Sequence, residues 1–293
     1  MPLVPFSRLM AAAKRGGYAM GYFEPWDLAS LQAVLRGAER AAAPVMVGLS
    51  GLYLPTCLGL DVRHFAAWAE AGRLAAREAR VPVAYLFNET PYWDWARASL
   101  RLGFNVVMYS NPEDSPATHL ARTAELVREA AALGVEVESE VGSVMHQEDH
   151  TTDPHTAADF VRRTRVHALG VTAGNRHLTT GRYHLDLELL ARLGEAVPVP
   201  LVLHGGSGAE DEELREAIRL GVTQVNYGRA QILAFVEALA DALAGDWRSR
   251  EVHELLNTGL PSDLLRPALE AVSAVVEEKC RTLGAAGQTE TPG

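Results

Sequence analysis

A histidine followed by a glycine-rich stretch is the clearest chemical signal in the sequence. His204 ends an apolar run, and the next four residues are Gly205, Gly206, Ser207 and Gly208. Backbone N–H groups in such a loop bind anions, and a helix that begins after the loop adds its dipole. A tight turn with a solvent-facing histidine would show the same residues, but the position after a predicted strand favours a site for an anion such as phosphate.

Side chains that bind metals follow two other apolar runs. His177 comes after one run and Glu89 after another. Two imidazoles and one carboxylate are a common ligand set for a divalent transition metal, and they leave positions open for a substrate. The alternative reading of this segment is structural, because Asn88 or Thr90 would be a suitable N-cap for the helix predicted next.

Three glutamates occupy every second position of the apolar run at 135–140. Glu136, Glu138 and Glu140 alternate with Val137 and Ser139, so their side chains share one side of a strand. Inside a closed sheet they would require a cation or hydrogen bonds. The register of this strand within the sheet does not follow from the sequence. We therefore expect one of the three glutamates near the site, but the sequence does not identify which one.

A long polar loop and an arginine complete the candidate groups. Residues 142–154 have a length typical of active-site lids, and Glu148 is one of several candidate acids or bases there. Arg229 begins a predicted helix and favours a bidentate contact with phosphate. The alternatives are a solvated loop and an arginine paired with a surface carboxylate.

Apolar runs and helical patterns alternate eight times along the chain. The runs are at 19–23, 45–49, 81–87, 105–109, 135–140, 167–172, 199–203 and 223–225. The helical patterns are at 5–15, 27–42, 61–79, 91–102, 116–133, 155–165, 186–196, 210–220, 229–244 and 262–283. Nearly continuous apolar runs are typical of parallel strands covered on both faces.

The fold class predicted from this alternation is α/β, a (β/α)8 TIM barrel. The barrel is expected to be a single domain over 1–284, with a disordered tail at 285–293. An open doubly wound sheet has the same alternation, but no GxGxxG motif follows the first strand. In a barrel the candidate residues above meet at the carboxyl ends of the strands.

Composition restricts the partners and the compartment. The chain has 293 residues and a formal net charge of −10, which argues against nucleic-acid binding. Residues 41–60 carry no charge, but their prolines and glycines argue against a membrane-spanning helix. Cys57 and Cys280 are the only cysteines and form no CxxC pair, and no secretory signal begins the chain. A reducing, cytoplasmic location is therefore expected.

Several motifs together resemble the class II aldolases, the metal-dependent family that includes fructose-bisphosphate and tagatose-bisphosphate aldolases. They are LVLHGGSG at 201–208, VESEVGSV at 137–144, QVN at 224–226 and GYFEPWDLASLQAVLRGAERAAAPVMV at 21–47. The resemblance extends over about residues 5–245. It implies a (β/α)8 barrel, a divalent metal cofactor that is usually zinc held by three histidines, and a dihydroxyacetone-phosphate half-substrate. It also implies a homodimer or homotetramer.

The resemblance assigns roles to particular residues. His177 and His204 match two of the three metal-binding histidines, and Glu140 matches an acidic residue near the metal. Glu148 matches a loop acid that moves protons on the ketose half of the substrate. The phosphate-cradling loop corresponds to Gly205, Gly206 and Ser207, and the asparagine that holds the ketose end corresponds to Asn226.

The departures from the family pattern lie at the site itself. The family has an Asp that handles the proton of the aldol hydroxyl, followed by a metal-binding His, where this chain has Asn88 and Glu89. Asn88 can donate and accept hydrogen bonds but is not a base at ordinary pH, whereas Glu89 can replace His as an oxygen ligand. Leu178 and Arg229 also replace a Gly and a Thr of the family. We therefore expect a reaction other than ordinary fructose-bisphosphate cleavage.

The leading hypothesis is a metal-dependent carbon–carbon lyase that acts on a ketose phosphate or similar hydroxy-ketone through an enediolate. His177, His204 and Glu89 would hold the metal, and Glu148 would shuttle the proton. Alternatively Glu89 is the missing base, and the metal is held by the two histidines and Glu140. Two further possibilities stay open: a non-catalytic sugar-phosphate-binding homologue, and an epimerase or isomerase that uses the same enediolate.

Overall fold

The chain forms a closed barrel of eight parallel strands. The computed structural model describes residues 3–53, 62–141, 151–176 and 181–289. Each strand pairs with the next in sequence, and the last pairs with the first at Gly21↔Val225 and Tyr22↔Asn226, which closes the sheet. The strands are β1 (Met20–Phe23), β2 (Val45–Ser50), β3 (Val83–Thr90), β4 (Val106–Tyr109), β5 (Glu136–Glu140), β6 (Ala168–Val171), β7 (Leu201–Leu203) and β8 (Val222–Tyr227). The predicted (β/α)8 barrel is confirmed, and the open doubly wound sheet is excluded.

Helices cover the outside of the barrel. They are α1 (Phe6–Gly16), α2 (Leu28–Ala41), α3 (Val62–Glu78), α4 (Trp93–Ser99), α5 (Pro116–Ala131), α6 (Pro154–Thr164), α7 (Leu187–Ala196), α8 (Asp211–Arg219), α9 (Arg229–Ala244) and α10 (Leu265–Thr282). Local chemistry sets their ends. At the start of α2, for example, Asp27 Oδ1 accepts from Ser30 N at 2.7 Å, and Ser30 Oγ accepts from Asp27 N at 2.9 Å. This capping box contributes about 1 kcal/mol to the helix.

The N-terminal segment closes the lower end of the barrel. Side chains of Val4, Phe6, Leu9 and Met10 pack in one cluster with barrel residues that include Met20, Met46, Val106 and Val202. Pro5 provides no side-chain cap for α1. Instead, Ser7 N donates to Glu136 Oε2 at 2.9 Å, which satisfies an otherwise open N–H of the first turn. The amino end of the barrel is thus filled, and the carboxyl end is left for a site.

The C-terminal part of the chain packs on the outer helices. Ser273 Oγ in α10 donates to Ala33 O in α2 at 2.8 Å, so the last helix lies against the second. Of the tail expected at 285–293, residues 285–289 are described. There, Ala285 is buried and Gly287 N donates to Ala41 O at 3.0 Å. Within the described residues, the helices lack the length and hydropathy needed to cross a bilayer.

Candidate active site at the barrel mouth

A cavity of about 350 Å³ opens at the carboxyl ends of the strands. We call it the mouth cavity. Seven residues singled out in the sequence line it: Asn88, Glu89, His204, Gly205, Ser207, Asn226 and Arg229. They come from β3, β7, β8 and the segments that follow them, so closure of the barrel brings together residues up to 141 positions apart. The predicted gathering of these side chains at one end is therefore observed.

A break in the regular strand geometry directs two consecutive residues of β3 into the mouth cavity. In a regular strand, neighbouring side chains point to opposite faces. Glu89 has a positive φ of 50°, and the pairing of β3 with β4 shifts register between Phe87 and Thr90. Asn88 and Glu89 both line the cavity as a result. The N-cap alternative is excluded for Asn88, because the N-cap position of α4 is Tyr92 and has no side-chain cap.

His204 lies between two buried carboxylates. Its Nδ1 is 2.6 Å from Glu89 Oε1, and its Nε2 is 3.4 Å from Glu138 Oε1. Burial by itself would lower the pKa of His204, but the two carboxylates outweigh burial and hold that pKa well above its usual value. The raised pKa favours the protonated imidazole, which pairs with Glu89.

A hydrogen-bonded network behind His204 fixes its surroundings. Gln224 Nε2 donates to Glu138 Oε2 at 3.0 Å and lies 2.8 Å from Asn226 Oδ1. Asn226 Nδ2 is 3.4 Å from both ring nitrogens of His204, so its amide packs against the imidazole. Sequence reasoning had not selected Glu138 or Gln224. The spacing of the β5 glutamates indicated that one of them lies near the site. Choosing among them requires the register of β5 against its neighbours, which is known only from the closed sheet.

Glu24, at the end of β1, is a second acidic residue that sequence reasoning did not select. Its Oε2 accepts from Asn88 Nδ2 at 2.9 Å and from Tyr22 Oη at 3.1 Å, and the residue lines the mouth cavity. Burial, and then the charge of Glu89, raise the pKa of Glu24 to about 7, although its hydrogen bonds act in the opposite direction. A carboxyl group with this pKa can both take up and return a proton near neutral pH. The position of Glu24 directly after an apolar run was the missed signal.

The glycine-rich loop brings backbone close to the cavity. Gly205 has a φ of 78°, and a Cβ on it would lie 2.2 Å from Arg176 O, so no other residue fits without a shift. Ser207 Oγ accepts from Ala230 N at 3.2 Å, which joins the loop to the first turn of α9. Arg176 and Arg229 line the same cavity. Two guanidinium groups and a helix N-terminus make this side of the cavity suitable for an anionic group.

Glu140 lies on the other side of β6 from His204. Its carboxylate accepts from Ser110 Oγ, and it lines a second cavity of about 600 Å³ beside α5 and α6. A Cβ added to Gly170 would lie 3.2 Å from Glu140 Cβ and 3.5 Å from His204 Nε2, so the glycine keeps open the space between the two residues. Its predicted role as a metal ligand stays a prediction. His177 and Glu148 lie outside the described residues.

The chemistry of these donors fits a divalent cation. The carboxylates of Glu89 and Glu138 flank the single imidazole of His204, and the Glu24 carboxyl group lines the same cavity. Glu138 Oε1 is buried and meets the geometry of no hydrogen bond among the described residues, and it faces His204 Nε2 at 3.4 Å. No group of three or more His, Cys, Asp or Glu side chains in the described ranges has the geometry of a complete metal site. Of the predicted metal ligands within those ranges, Glu89 and His204 are in contact with each other at 2.6 Å.

Comparisons with known proteins place the chain among aldolases. A family model described as fructose-bisphosphate aldolase class-II matches residues 4–288. The fructose-bisphosphate aldolase of Streptococcus pyogenes serotype M3 is 33% identical over 303 residues, which cover 98% of this chain and 100% of the relative. The fructose-bisphosphate aldolase of Streptococcus pneumoniae serotype 4 is 31% identical over 305 residues, with the same coverage.

Solved structures agree with these sequence matches. The crystal structure of the YdjI aldolase from Escherichia coli K12 has a TM-score of 0.83 and 27% identity, covering 98% of this chain and 100% of that chain. Fructose-bisphosphate aldolase from Campylobacter jejuni has a TM-score of 0.79 and 21% identity over 97% of this chain and 96% of that chain. At that identity, the Campylobacter structure supports the fold alone.

Proposed function

This chain belongs to the class II fructose-bisphosphate aldolase family and is an aldolase-type lyase, and from this premise we propose that its substrate is not fructose bisphosphate. The proposed substrate is another ketose phosphate or similar hydroxy-ketone, cleaved through an enediolate. The observation that carries the proposal is the pair at the end of β3. Asn88 donates to Glu24 and Glu89 is paired with His204, so the groups that contact substrate and metal differ in kind from the Asp and His of the family pattern.

The residues of the mouth cavity, together with His177 and Glu148 outside the described ranges, have separate roles in the proposed reaction. Glu89 and His204 would hold a divalent metal, for which we expect zinc, and His177 would be a further ligand. When bound, the metal supplies Lewis-acid stabilisation of the negative charge that develops on substrate oxygens. The Gly205–Ser207 loop and Arg229 bind the anionic end of the substrate. Asn226 orients the ketose end, and Glu148 returns the proton to the enediolate carbon.

Deuterium exchange tests the proton transfer at the enediolate carbon. This transfer is the first step of the reaction in the condensation direction. With zinc in deuterium oxide, we expect the protein to exchange a carbon-bound hydrogen of dihydroxyacetone phosphate at least about a thousandfold faster than buffer does. Proton NMR follows the exchange. A panel of short aldehydes added to dihydroxyacetone phosphate should then give ketose products, and at least one aldehyde should react about a hundredfold faster than glyceraldehyde 3-phosphate, the partner that would give fructose bisphosphate.

Other outcomes of this experiment favour the other hypotheses. Binding of dihydroxyacetone phosphate without exchange would indicate a non-catalytic homologue. Exchange without any carbon–carbon product would indicate an epimerase or isomerase. Glyceraldehyde 3-phosphate as the best acceptor would contradict the proposed departure from fructose-bisphosphate cleavage.

Exposed apolar residues on the outer face of α9 support the proposal that the protein forms a homodimer or homotetramer. Ile232, Leu233, Val236 and Leu243 are exposed on this helix, with Val236 at 55%. Contiguous exposed apolar side chains mark interaction surfaces. Ile232 and Leu233 also line the mouth cavity, so a second copy seated on α9 would form part of the cavity rim.

A charged residue introduced on this face of α9 should dissociate the oligomer. We expect Val236→Glu to convert an oligomer into a species near the chain mass of 31.7 kDa, because the interface would bury an unpaired carboxylate. Analytical ultracentrifugation measures the change. Leu133→Glu is the matched control, since Leu133 is 44% exposed in the turn after α5 and its change should leave the mass unaltered. A wild-type protein that sediments as a monomer would contradict the proposal.

A further inference from the structure

Carbon–carbon cleavage of a hydroxy-ketone requires a base for the hydroxyl proton, and Asn88, at the family's position for that base, does not supply one. Asn88 is an amide, and an amide does not take up a proton near neutral pH. Resting on the proposed function, we propose that Glu24 is the catalytic base that takes the proton from the substrate hydroxyl, and that Asn88 is the positioning residue that holds the Glu24 carboxylate at the cavity wall.

Glu24 is held in place from several directions. Its backbone N donates to Tyr227 O at 3.1 Å, and its carbonyl accepts from Gln231 Nε2 at 3.3 Å. The first contact ties Glu24 to β8 and the second to α9. The side chain accepts from two donors, Tyr22 Oη at 3.1 Å on β1, the strand that Glu24 follows, and Asn88 Nδ2 at 2.9 Å on β3. A base must keep one position relative to the reacting bond, and this arrangement provides that.

The remaining carboxylates of the site have other partners. Of the described residues that line the mouth cavity, only Glu24 and Glu89 are acidic. Glu89 is in contact with His204 at 2.6 Å. Glu138 is completely buried behind His204, and Glu140 lines the second cavity. Glu24 is therefore the carboxylate that faces the mouth cavity and is not already paired with the imidazole.

Asn88 and Glu24 form a complementary pair. An amide N–H donates to a carboxylate oxygen, and a second carboxylate at position 88 would repel the first. The two side chains are 2.9 Å apart, so a carboxylate on either residue would lie within a few ångströms of the same point. The proton-accepting function can thus pass from position 88 to position 24 while the hydrogen bond between the two positions is kept.

The proposed step balances without any external oxidant or reductant. Glu24 takes the O–H proton of the hydroxyl on the carbon beta to the carbonyl. The oxygen electron pair forms a new C=O bond, the adjacent C–C bond breaks, and its electron pair becomes the enediolate of the ketone fragment. An aldehyde leaves, and the enediolate is then protonated at carbon. In the condensation direction, the protonated Glu24 donates to the newly formed alkoxide.

Comparing two reactions, condensation with an aldehyde and deuterium exchange into dihydroxyacetone phosphate, separates the role of Glu24 from that of the rest of the site. We expect Glu24→Gln to lower condensation of dihydroxyacetone phosphate with the best aldehyde of the panel by at least about a hundredfold, in the usual range for loss of a general base. Deuterium exchange into dihydroxyacetone phosphate should fall by less than about tenfold, because that step leaves the aldol hydroxyl untouched. The ratio of the two rates is the quantity to compare.

A rescue and a control make the result specific. Glu24→Gln combined with Asn88→Asp exchanges the carboxylate and the amide, and condensation should recover at least about tenfold over Glu24→Gln alone. Glu136→Gln is the matched control at the opposite end of the barrel, where Glu136 accepts from Ser7 N, and its rate ratio should equal that of the wild type. Metal content and circular dichroism of each variant report on folding.

Three outcomes would overturn the assignment of Glu24. They are condensation by Glu24→Gln within tenfold of the wild type, an equal loss of exchange and condensation in that variant, and no recovery in the double variant. An equal loss would mean that Glu24 maintains the site and does not act on the hydroxyl. Absence of exchange in the wild type would refute the proposed function itself, which is a separate result.

Discussion

Replacement of His204 with Ala is expected to lower carbon–carbon cleavage by about a thousandfold or more and to remove most of the bound metal. His204 is buried at the end of β7 between Glu89 and Glu138, where the proposed metal would bind. Loss of the imidazole removes a ligand, and with it the several kcal/mol of charge stabilisation that a bound metal gives the transition state. Metal analysis after gel filtration, and the rate of condensation, measure the two effects.

The same variant has an expected cost in stability. Without His204, two buried carboxylates lose their positively charged partner, which costs about 3–5 kcal/mol in the metal-free protein. His184→Ala is the matched control, because His184 is exposed and pairs with Glu213 at 2.9 Å on the surface. That change should leave metal content and rate near wild-type values. Full metal content in His204→Ala would show that the site has been assigned to the wrong residues.

Replacement of Glu89 with Gln is expected to weaken metal binding by at least about a hundredfold. The change keeps the size of the side chain and its place on the strained backbone at φ 50°, and it removes only the charge. Loss of a group that merely supports a ligand already costs tenfold to a hundredfold in affinity, and a direct ligand should cost more. Calorimetric titration of the metal-free protein with zinc measures the affinity.

This experiment also separates the two roles considered for Glu89. If Glu89 is a ligand, Glu89→Gln loses metal and activity together. If Glu89 is the base, the variant keeps its metal and loses only cleavage, and the assignment of Glu24 as the base is then wrong. Glu70→Gln is the matched control, because Glu70 forms an exposed pair with Arg73 on α3. We expect it to bind zinc like the wild type.

The elements of the barrel were predictable from local sequence. Each of the strands and α-helices given above begins and ends within three residues of the range that its hydrophobic pattern predicts. Helix α9, for example, was predicted at 229–244 and is found at Arg229–Ala244. Such accuracy is possible because the period of apolar residues in a strand or helix depends on neighbours in sequence. The glycine-rich loop after His204 was recognisable for the same reason.

The candidate site was predictable only in part. His204 was selected from its position at a strand end and Asn226 from the family resemblance, and both line the mouth cavity. Glu24 was missed, and Glu138 was expected only as one of three glutamates on β5. Selection of Glu138 over its neighbours on β5 required the register of the sheet, and recognition of Glu24 required its contact with Asn88, 64 positions away. The left-handed backbone at Glu89 has no sequence signal, because glutamate rarely adopts it.

The sequence by itself determined the class of fold, the order of its elements and a list of polar residues at the strand ends. The tertiary structure alone decided which of those residues meet. Closure of β8 on β1 and the irregularity in β3 bring Glu24, Asn88, Glu89 and His204 around one cavity. The physical reason is that secondary structure follows from short-range periodicity, whereas the partners of a buried charge are set by contacts between strands that are distant in sequence.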